Sequence, residues 1–407
     1  MIRPGSARSL IGLRSGEGTG AHLGYPSRMA KGRVLVTGGA GFIGTHTSAA
    51  LLEQGYAVRV LDALLPPVHV GRKRPDGLPV EAELMVGDVR SRDDMLKALQ
   101  DVEAVIHLAA YQDYNPDFST FFAVNTVGTA LLYEIAVERS LPLRKVVVAS
   151  SQAVYGEAAY LCAEHDVVMP PPRTEEQLAA GSWDVVCPRC GGPVEVVETD
   201  EERVHPHNSY ALSKHALEAL ALTLGRRYSI PTTCLRYSIV QGPGQSFHNA
   251  YSGICRVFSL RLLGGKRPVA FEDGRQLRDY VWIGDVVAAN LLTLEDGRSD
   301  FRVYNVGGAE RCTVAEFGAA VAHAAGRPEL TPEMRGLFRF GDTRHVVSSS
   351  RQLRELGWRQ TLRTPEVINR YLEWAAVQPD ARDNFDAALA RMLGSGAVRK
   401  AASQDAT

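Results

Sequence analysis

The stretch Thr37-Gly-Gly-Ala-Gly-Phe-Ile-Gly44 follows the apolar run Val34–Val36 and leads into an amphipathic stretch, His46–Gln54. Gly38, Gly41 and Gly44 recur at every third position. A strand, a glycine turn and a helix in that order form a phosphate cradle. Without Cβ atoms the turn can close tightly, and the backbone can approach a pyrophosphate at the helix N-terminus. A glycine turn with no ligand would read the same way, so the next signal matters. Asp62 ends the following apolar run, Val58–Leu61, where a carboxylate can accept from the ribose hydroxyls. Its charge would repel a 2′-phosphate and no Arg follows it immediately, which favours NAD over NADP. Gly38, Gly41, Phe42, Ile43, Gly44 and Asp62 are thus the first cofactor-binding candidates.

Further along the chain, Leu84–Val86, Val105–Leu108 and Val146–Ala149 are short and continuously apolar, as strands buried on both faces are. Amphipathic stretches Asp93–Gln100 and Phe121–Ser140 separate them. Strand–helix alternation predicts an α/β protein with a Rossmann-type doubly wound parallel sheet. A helix near Tyr210–Tyr228 and a strand, Thr232–Tyr237, complete this part, residues 31–238. From 239 to about 380 the pattern loosens. Strands Val269–Phe271 and Tyr304–Val306 mix with helices Thr313–Ala325, Arg351–Leu356 and Pro365–Ala376. This suggests a smaller α/β lobe interleaved with the first. Residues 1–30 read as a disordered tail, with a transit peptide as the alternative, and 381–407 as a C-terminal helix and tail frayed beyond about 395.

The 407 residues include 45 Lys+Arg and 46 Asp+Glu, a formal charge of −1, with 45% hydrophobic residues. That composition excludes a disordered chain and lacks the basic excess of a nucleic-acid binder. No run of 18 apolar residues is present, so no membrane partner is expected. Six cysteines fit a reducing, cytoplasmic setting. Three of them, Cys162, Cys187 and Cys190, are clustered.

Candidate chemistry lies in Ser151, Tyr210 and Lys214. Tyr210-Ala-Leu-Ser-Lys214 puts a phenol and an ammonium on one helix face. The ammonium and a cationic nicotinamide would both lower the phenol pKa from about 10, which makes a general base. Ser151, at the end of the fifth strand, would hydrogen-bond the same substrate oxygen. A solvated Tyr/Lys pair on a helix surface is the alternative for this spacing alone.

Taken together, Lys31–Leu356 resembles the extended short-chain dehydrogenase/reductases, in particular the NAD-dependent nucleotide-sugar epimerases and dehydratases. The resemblance implies that Asp88 and Val89 lie beside the adenine. It also implies that Ala109, Ala110, Asn125, Ser150, Tyr210 and Lys214 contact the cofactor. Arg278, in Arg-Asp-Tyr-Val, and Arg339, before Phe-Gly-Asp342, would bind the diphosphate of a nucleotide-sugar. Each guanidinium can fork onto two oxygens. Gln112, Ser151, Gln152, Tyr210, Asn249 and Asp342 complete the implied substrate set. A homodimer built on the helices near Phe121–Ser140 and Tyr210–Tyr228 is implied as well.

Departures from the family discriminate among its reactions. The dehydratases carry Asp and Glu where this chain has Gln152 and Ala153, and neither of these titrates. What remains suits oxidation and re-reduction at one carbinol, a 4-epimerisation. A net 4-ketoreductase or dehydrogenase is the alternative, and a non-catalytic NAD sensor is a third. Arg236-Tyr237-Ser238-Ile239 replaces a family Arg-Tyr-Phe-Asn, so a polar sugar contact becomes apolar. This text, Tyr111–Phe122 and Gln245–Ile254 resemble the epimerases of dTDP-L-rhamnose, a 6-deoxyhexose, with a UDP-hexose as the alternative substrate.

Ser151 and Tyr210 lie 59 positions apart, farther than the family needs. The excess, an insertion over about 157–205, carries Cys162-Ala-Glu-His165 and Cys187-Pro-Arg-Cys190-Gly-Gly. Two such knuckles can offer four tetrahedral ligands to a structural zinc. The insert is poor in apolar residues, so a metal would stand in for a missing core. Reduced thiols on a surface loop are the alternative.

Overall fold

The computed structural model describes residues 31–69, 71–113, 116–247 and 253–402. The expected N-terminal tail, Asn249 and the end of the C-terminal tail lie outside the described residues.

Seven parallel strands form the central sheet. Their spatial order is Arg302–Val306, Thr232–Tyr237, Lys145–Ser151, Ala104–His107, Lys31–Thr37, Tyr56–Asp62 and Glu83–Val86. All six pairings are parallel. Successive side chains of a strand point to opposite faces, and the two faces have separate cores. Val34 and Val36 pack with Val58, Val60, Ile106 and Val147 under the helices Phe42–Glu53 and Ile283–Glu295. Leu35 faces the other way, with Val105, Val146 and Val148, toward Leu132, Tyr133, Leu217 and Ala221. Those four belong to the helical run Phe118–Glu138 and the helix Ser209–Tyr228.

The run Phe118–Glu138 is long and apolar enough in composition to cross a bilayer, yet its Leu132, Tyr133, Ile135 and Ala136 sit in this sheet core. A π-helical stretch, Phe122–Val127, interrupts it and carries buried Asn125. Such interruptions often mark functional positions.

The smaller lobe has a three-stranded sheet, Ile239–Gln241, Leu277–Trp282 and Arg311–Thr313. Helices Ile254–Leu263, Val314–Ala324 and Thr364–Ala376 cover it, with Phe258, Tyr280, Phe317, Val321, Ile368 and Tyr371 in the core. Two expectations need correcting. Tyr304–Val306 belongs to the central sheet: Arg302–Val306 pairs with Thr232–Tyr237, and Tyr304 and Val306 are fully buried against that sheet's core. Residues beyond 395 are not all frayed either. Arg399–Lys400 pairs antiparallel with Leu337–Phe338, which buries Val398.

The insert folds as an antiparallel sheet, Asp166–Val168, Ala159–Cys162 and Val194–Val197. It returns to its point of departure, where His205 N–H donates to Val154 O at 2.9 Å. It also has a small apolar cluster of Ala158, Tyr160, Cys162, Val168, Val185 and Cys187. A core is therefore present, contrary to the sequence reading, but it includes two of the candidate metal ligands.

Candidate active site

The glycine turn shows three different constraints. Gly38 has φ +64°, and a Cβ there would lie 2.7 Å from Ala109 N. A Cβ on Gly44 would meet Gly38 O and Gly39 Cα at 2.4 Å, so this glycine lets helix and strand touch. A Cβ on Gly41 would meet only Gly38 O, at 3.3 Å, and would otherwise enter the adjoining cavity. The helix Phe42–Glu53 has no side-chain cap and no acid in its first turn. Its first N–H groups and its positive dipole end are thus left for an anion. Asp62 Oδ2 accepts from Ala40 N–H at 3.0 Å and Oδ1 from Leu64 N–H at 2.9 Å. Each oxygen keeps a further lone pair for a hydroxyl. The cradle and this donor and acceptor set fit a dinucleotide.

The strand Lys145–Ser151 and the helix Ser209–Tyr228 position the reactive groups. Asn208 caps the helix by accepting from Ala211 N–H at 2.9 Å. Tyr210 follows in the first turn, nearly buried and edge-on to Phe121. Lys214 Nζ lies 5.9 Å from the Tyr210 ring centroid and donates to Ala149 O at 2.7 Å. Burial drives the Lys214 pKa down to about 8, against the opposing charge of Glu218. Ser151 Oγ accepts from Ala153 N–H at 3.1 Å, which orients it at the strand end. Ser150 donates to Glu218. Burial works against charge on Glu218, but the Arg236 guanidinium, with two 2.8 Å contacts, holds its pKa below the ordinary value.

A cavity of about 1190 Å3 joins these parts. Gly38, Gly41, Phe42, Ile43, Gly44, Ala110, Gln112, Ser150, Ser151, Gln152, Tyr210 and Lys214 line it, and so do Arg278, Arg339 and Asp342. Ile239 borders it where the family's polar residue would stand. Asp62, Asp88, Val89, Ala109 and Asn125 are not part of its lining. Asp88 pairs with Arg90 at 2.6 Å, and that hydrogen bond lowers its pKa. Val89 is a core residue. Asn125 Oδ1 accepts from Tyr111 N–H at 2.7 Å, and its Nδ2 donates to Ser213 Oγ at 2.9 Å. It ties the loop after the fourth strand to the Tyr210 helix. His107 is a core histidine between Thr37 and Thr129, held neutral by burial at a pKa of about 3.

The two arginines are not equivalent. Arg278 donates to the carbonyls of Leu277, Thr343 and Arg344 at 2.8–2.9 Å. It shapes the loop after Asp342 as well as facing the cavity. Arg339 Nε pairs with Asp342 at 2.8 Å and its guanidinium covers the Phe271 ring. The sequence reading gave no individual role to His207, Gln245, Gln276 and the stacked pair Phe247 and Trp374, all in the wall, although Gln245 and Phe247 fall in the segment Gln245–Ile254 that it singled out. Among them, Gln245 Oε1 and Gln276 Oε1, like Gln152 Oε1, are buried without a hydrogen-bond partner among the described residues. No spacing rule marks them, because they come from distant parts of the chain.

The family described as NAD dependent epimerase/dehydratase matches residues 34–307. The dTDP-L-rhamnose 4-epimerase of Burkholderia thailandensis is 33% identical over 359 residues, which are 86% of this chain and 97% of that protein. Among solved structures, the Thermus thermophilus UDP-glucose 4-epimerase complex with NAD superposes with a TM-score of 0.65 at 30% identity, over 84% of this chain and 98% of that one. The Thermotoga maritima UDP-glucose 4-epimerase with UDP-glucose gives 0.67 at 27%, with the same coverage. The strand order, the glycine cradle and these matches agree, and the chain belongs to the NAD dependent epimerase/dehydratase family.

Proposed function

We propose that this protein is an NAD-dependent 4-epimerase of nucleotide-diphosphate sugars, acting on a dTDP-6-deoxyhexose such as dTDP-L-rhamnose. One observation carries the reading. Ser151, Tyr210 and Lys214 share a cavity with the glycine cradle and the two arginines, while Gln152 and Ala153 stand where an elimination would need an acid and a base. Tyr210 takes the proton from the sugar O4 and later returns it. Lys214 favours the phenolate by its charge. Ser151 fixes the oxygen, and Arg339 and Arg278 face the diphosphate. The glycine turn of Gly38, Gly41 and Gly44, with Asp62, would hold NAD, which would supply a reversible hydride acceptor with no net oxidation. Epimerisation would need the oxidised sugar to present its other face to the same cofactor, and the apolar Ile239 in the wall suits a sugar lacking its 6-hydroxyl. The relative from Burkholderia thailandensis supports this substrate, and the solved UDP-glucose 4-epimerases support UDP-glucose as the second reading.

The exposed side chains of Phe118, Val127 and Leu212, on the two helices over one sheet face, support a homodimer. The six unpaired cysteines suit the reducing cytoplasm in which we place the enzyme. Incubation with dTDP-L-rhamnose and with UDP-glucose, followed by chromatography of the released sugars, tests the substrate. Epimerisation of UDP-glucose alone rejects the deoxysugar. Tyr210→Phe is expected to lower turnover by about 10²–10⁴-fold and to leave NAD affinity unchanged. Unchanged turnover rejects the mechanism.

A further inference from the structure

The insert holds a group of side chains that this chemistry does not use. The ligand atoms of Cys162, His165, Cys187 and Cys190 all lie within 4.8 Å of one another. Cys162 Sγ is 3.6 Å from His165 Nδ1 and 3.7 Å from Cys190 Sγ, and Cys187 Sγ is 3.6 Å from His165 Nδ1. A tetrahedral zinc with bonds of about 2.3 Å to sulfur and about 2.0–2.1 Å to nitrogen requires edges of about 3.8 Å (S–S) and about 3.6 Å (S–N). These three edges match those values, and the remaining ones are no longer than 4.8 Å. A disulfide needs about 2.05 Å, so the 3.7 Å pair is not one.

The backbone is built for the same purpose. Cys162 and His165 flank the turn between the strands Ala159–Cys162 and Asp166–Val168. Cys187 and Cys190 lie in a turn closed by Cys187 N–H to Gly192 O and Gly191 N–H to Cys187 O, both 2.9 Å. Gly191 adopts φ +72° there. Peptide N–H groups of Arg189 and Cys190 point at the Cys187 sulfur, and that of Gly192 at the Cys190 sulfur. Such donors stabilise metal-bound thiolates.

We propose that these four residues bind one structural zinc ion, which braces the insert against the loop that carries Arg339 and Asp342. Buried Arg173, from the insert, donates to Glu272 at 2.8 and 3.0 Å and to Asp342 O at 2.9 Å. Glu157, at the start of the insert, accepts from Arg344 N–H at 2.7 Å. Asp184, three positions before Cys187, accepts from the Arg344 guanidinium at 2.8 Å. The metal joins the hairpin bearing Cys162 to the turn bearing Cys187, and so fixes the frame on which these ion pairs are held. The zinc assignment is independent of the proposed reaction. Only the expected effect on substrate affinity rests on it.

The test uses the full chain, purified without chelator or histidine tag from zinc-supplemented culture. Elemental analysis is expected to give about one zinc per chain. All six cysteines should titrate as thiols once the protein is denatured with chelator. Well under one equivalent of metal, two missing thiols, or iron in place of zinc each overturns the assignment. Mercurial release of the metal, read by hydrogen exchange, should raise exchange at Arg344 and Val346 while the peptide covering Thr37–Gly44 stays protected. Equal exchange with and without metal overturns the bracing role. A raised KM for the nucleotide-sugar at unchanged NAD affinity is the kinetic counterpart. Zinc bound and exchange altered, with no turnover of any nucleotide-sugar, would fault the proposed function and leave the metal site standing.

Discussion

Lys214 carries a cost that its role explains. It is buried, and its pKa lies at about 8, below the ordinary value of about 10.4. Between those values the unfolded chain binds more protons at this site than the folded one. The penalty for burying the ammonium is therefore complete below about pH 8 and is relieved as pH rises toward about 10.4. Lys214→Met keeps the shape and removes the charge. At pH 7 it is expected to leave the melting temperature unchanged or higher, while turnover falls by about 10²-fold or more. Differential scanning fluorimetry beside the epimerase assay checks this, and a clear drop in melting temperature would show that the charge stabilises the fold. At this scale the sequence was informative where spacing alone sets geometry, as in Tyr210 and Lys214 four positions apart on a helix. It was uninformative where partners are distant. Arg278 binds carbonyls of residues 343 and 344, and nothing in its own surroundings announces that.

The glycine turn separates space for the ligand from space for the fold. Gly44→Ala would put a methyl 2.4 Å from backbone atoms of Gly38 and Gly39, and the helix would have to move. A loss of about 1–3 kcal/mol in stability is expected, read from urea unfolding. Gly41→Ala meets only Gly38 O at 3.3 Å, so the fold should be spared while NAD affinity, read by fluorescence titration, falls. Equal effects of the two changes would contradict this division. Elements buried on both faces were legible as continuous apolar runs, and Thr232–Tyr237 has the bounds the pattern assigns. The strands of the insert were not legible. They are three or four residues long and partly exposed, so neither alternation nor length marks them. Tyr304–Val306 was legible as a strand but was assigned to the wrong lobe, since only the tertiary fold decides which sheet receives it.

On the scale of the molecule, one sheet face is covered by helices that keep apolar side chains outward. Phe118 is 59% exposed, Val127 56% and Leu212 46%. If two copies pack these helices together, Val127→Glu with Leu212→Glu should convert a dimer to a monomer in light scattering without loss of the folded far-UV signal. A wild-type monomer would remove the proposed dimer. The strand Arg302–Val306 has another consequence. It is the last strand of the central sheet in the chain and lies at its edge, after the chain has already entered the smaller lobe. During synthesis, Thr232–Tyr237 therefore emerges without its outer neighbour and presents an unpaired edge until some 70 further residues have left the ribosome. Non-local parallel pairing of this kind is slow and prone to misassociation. The sheet of the nucleotide-binding half is thus completed only by a strand made after the chain has passed through part of the smaller lobe.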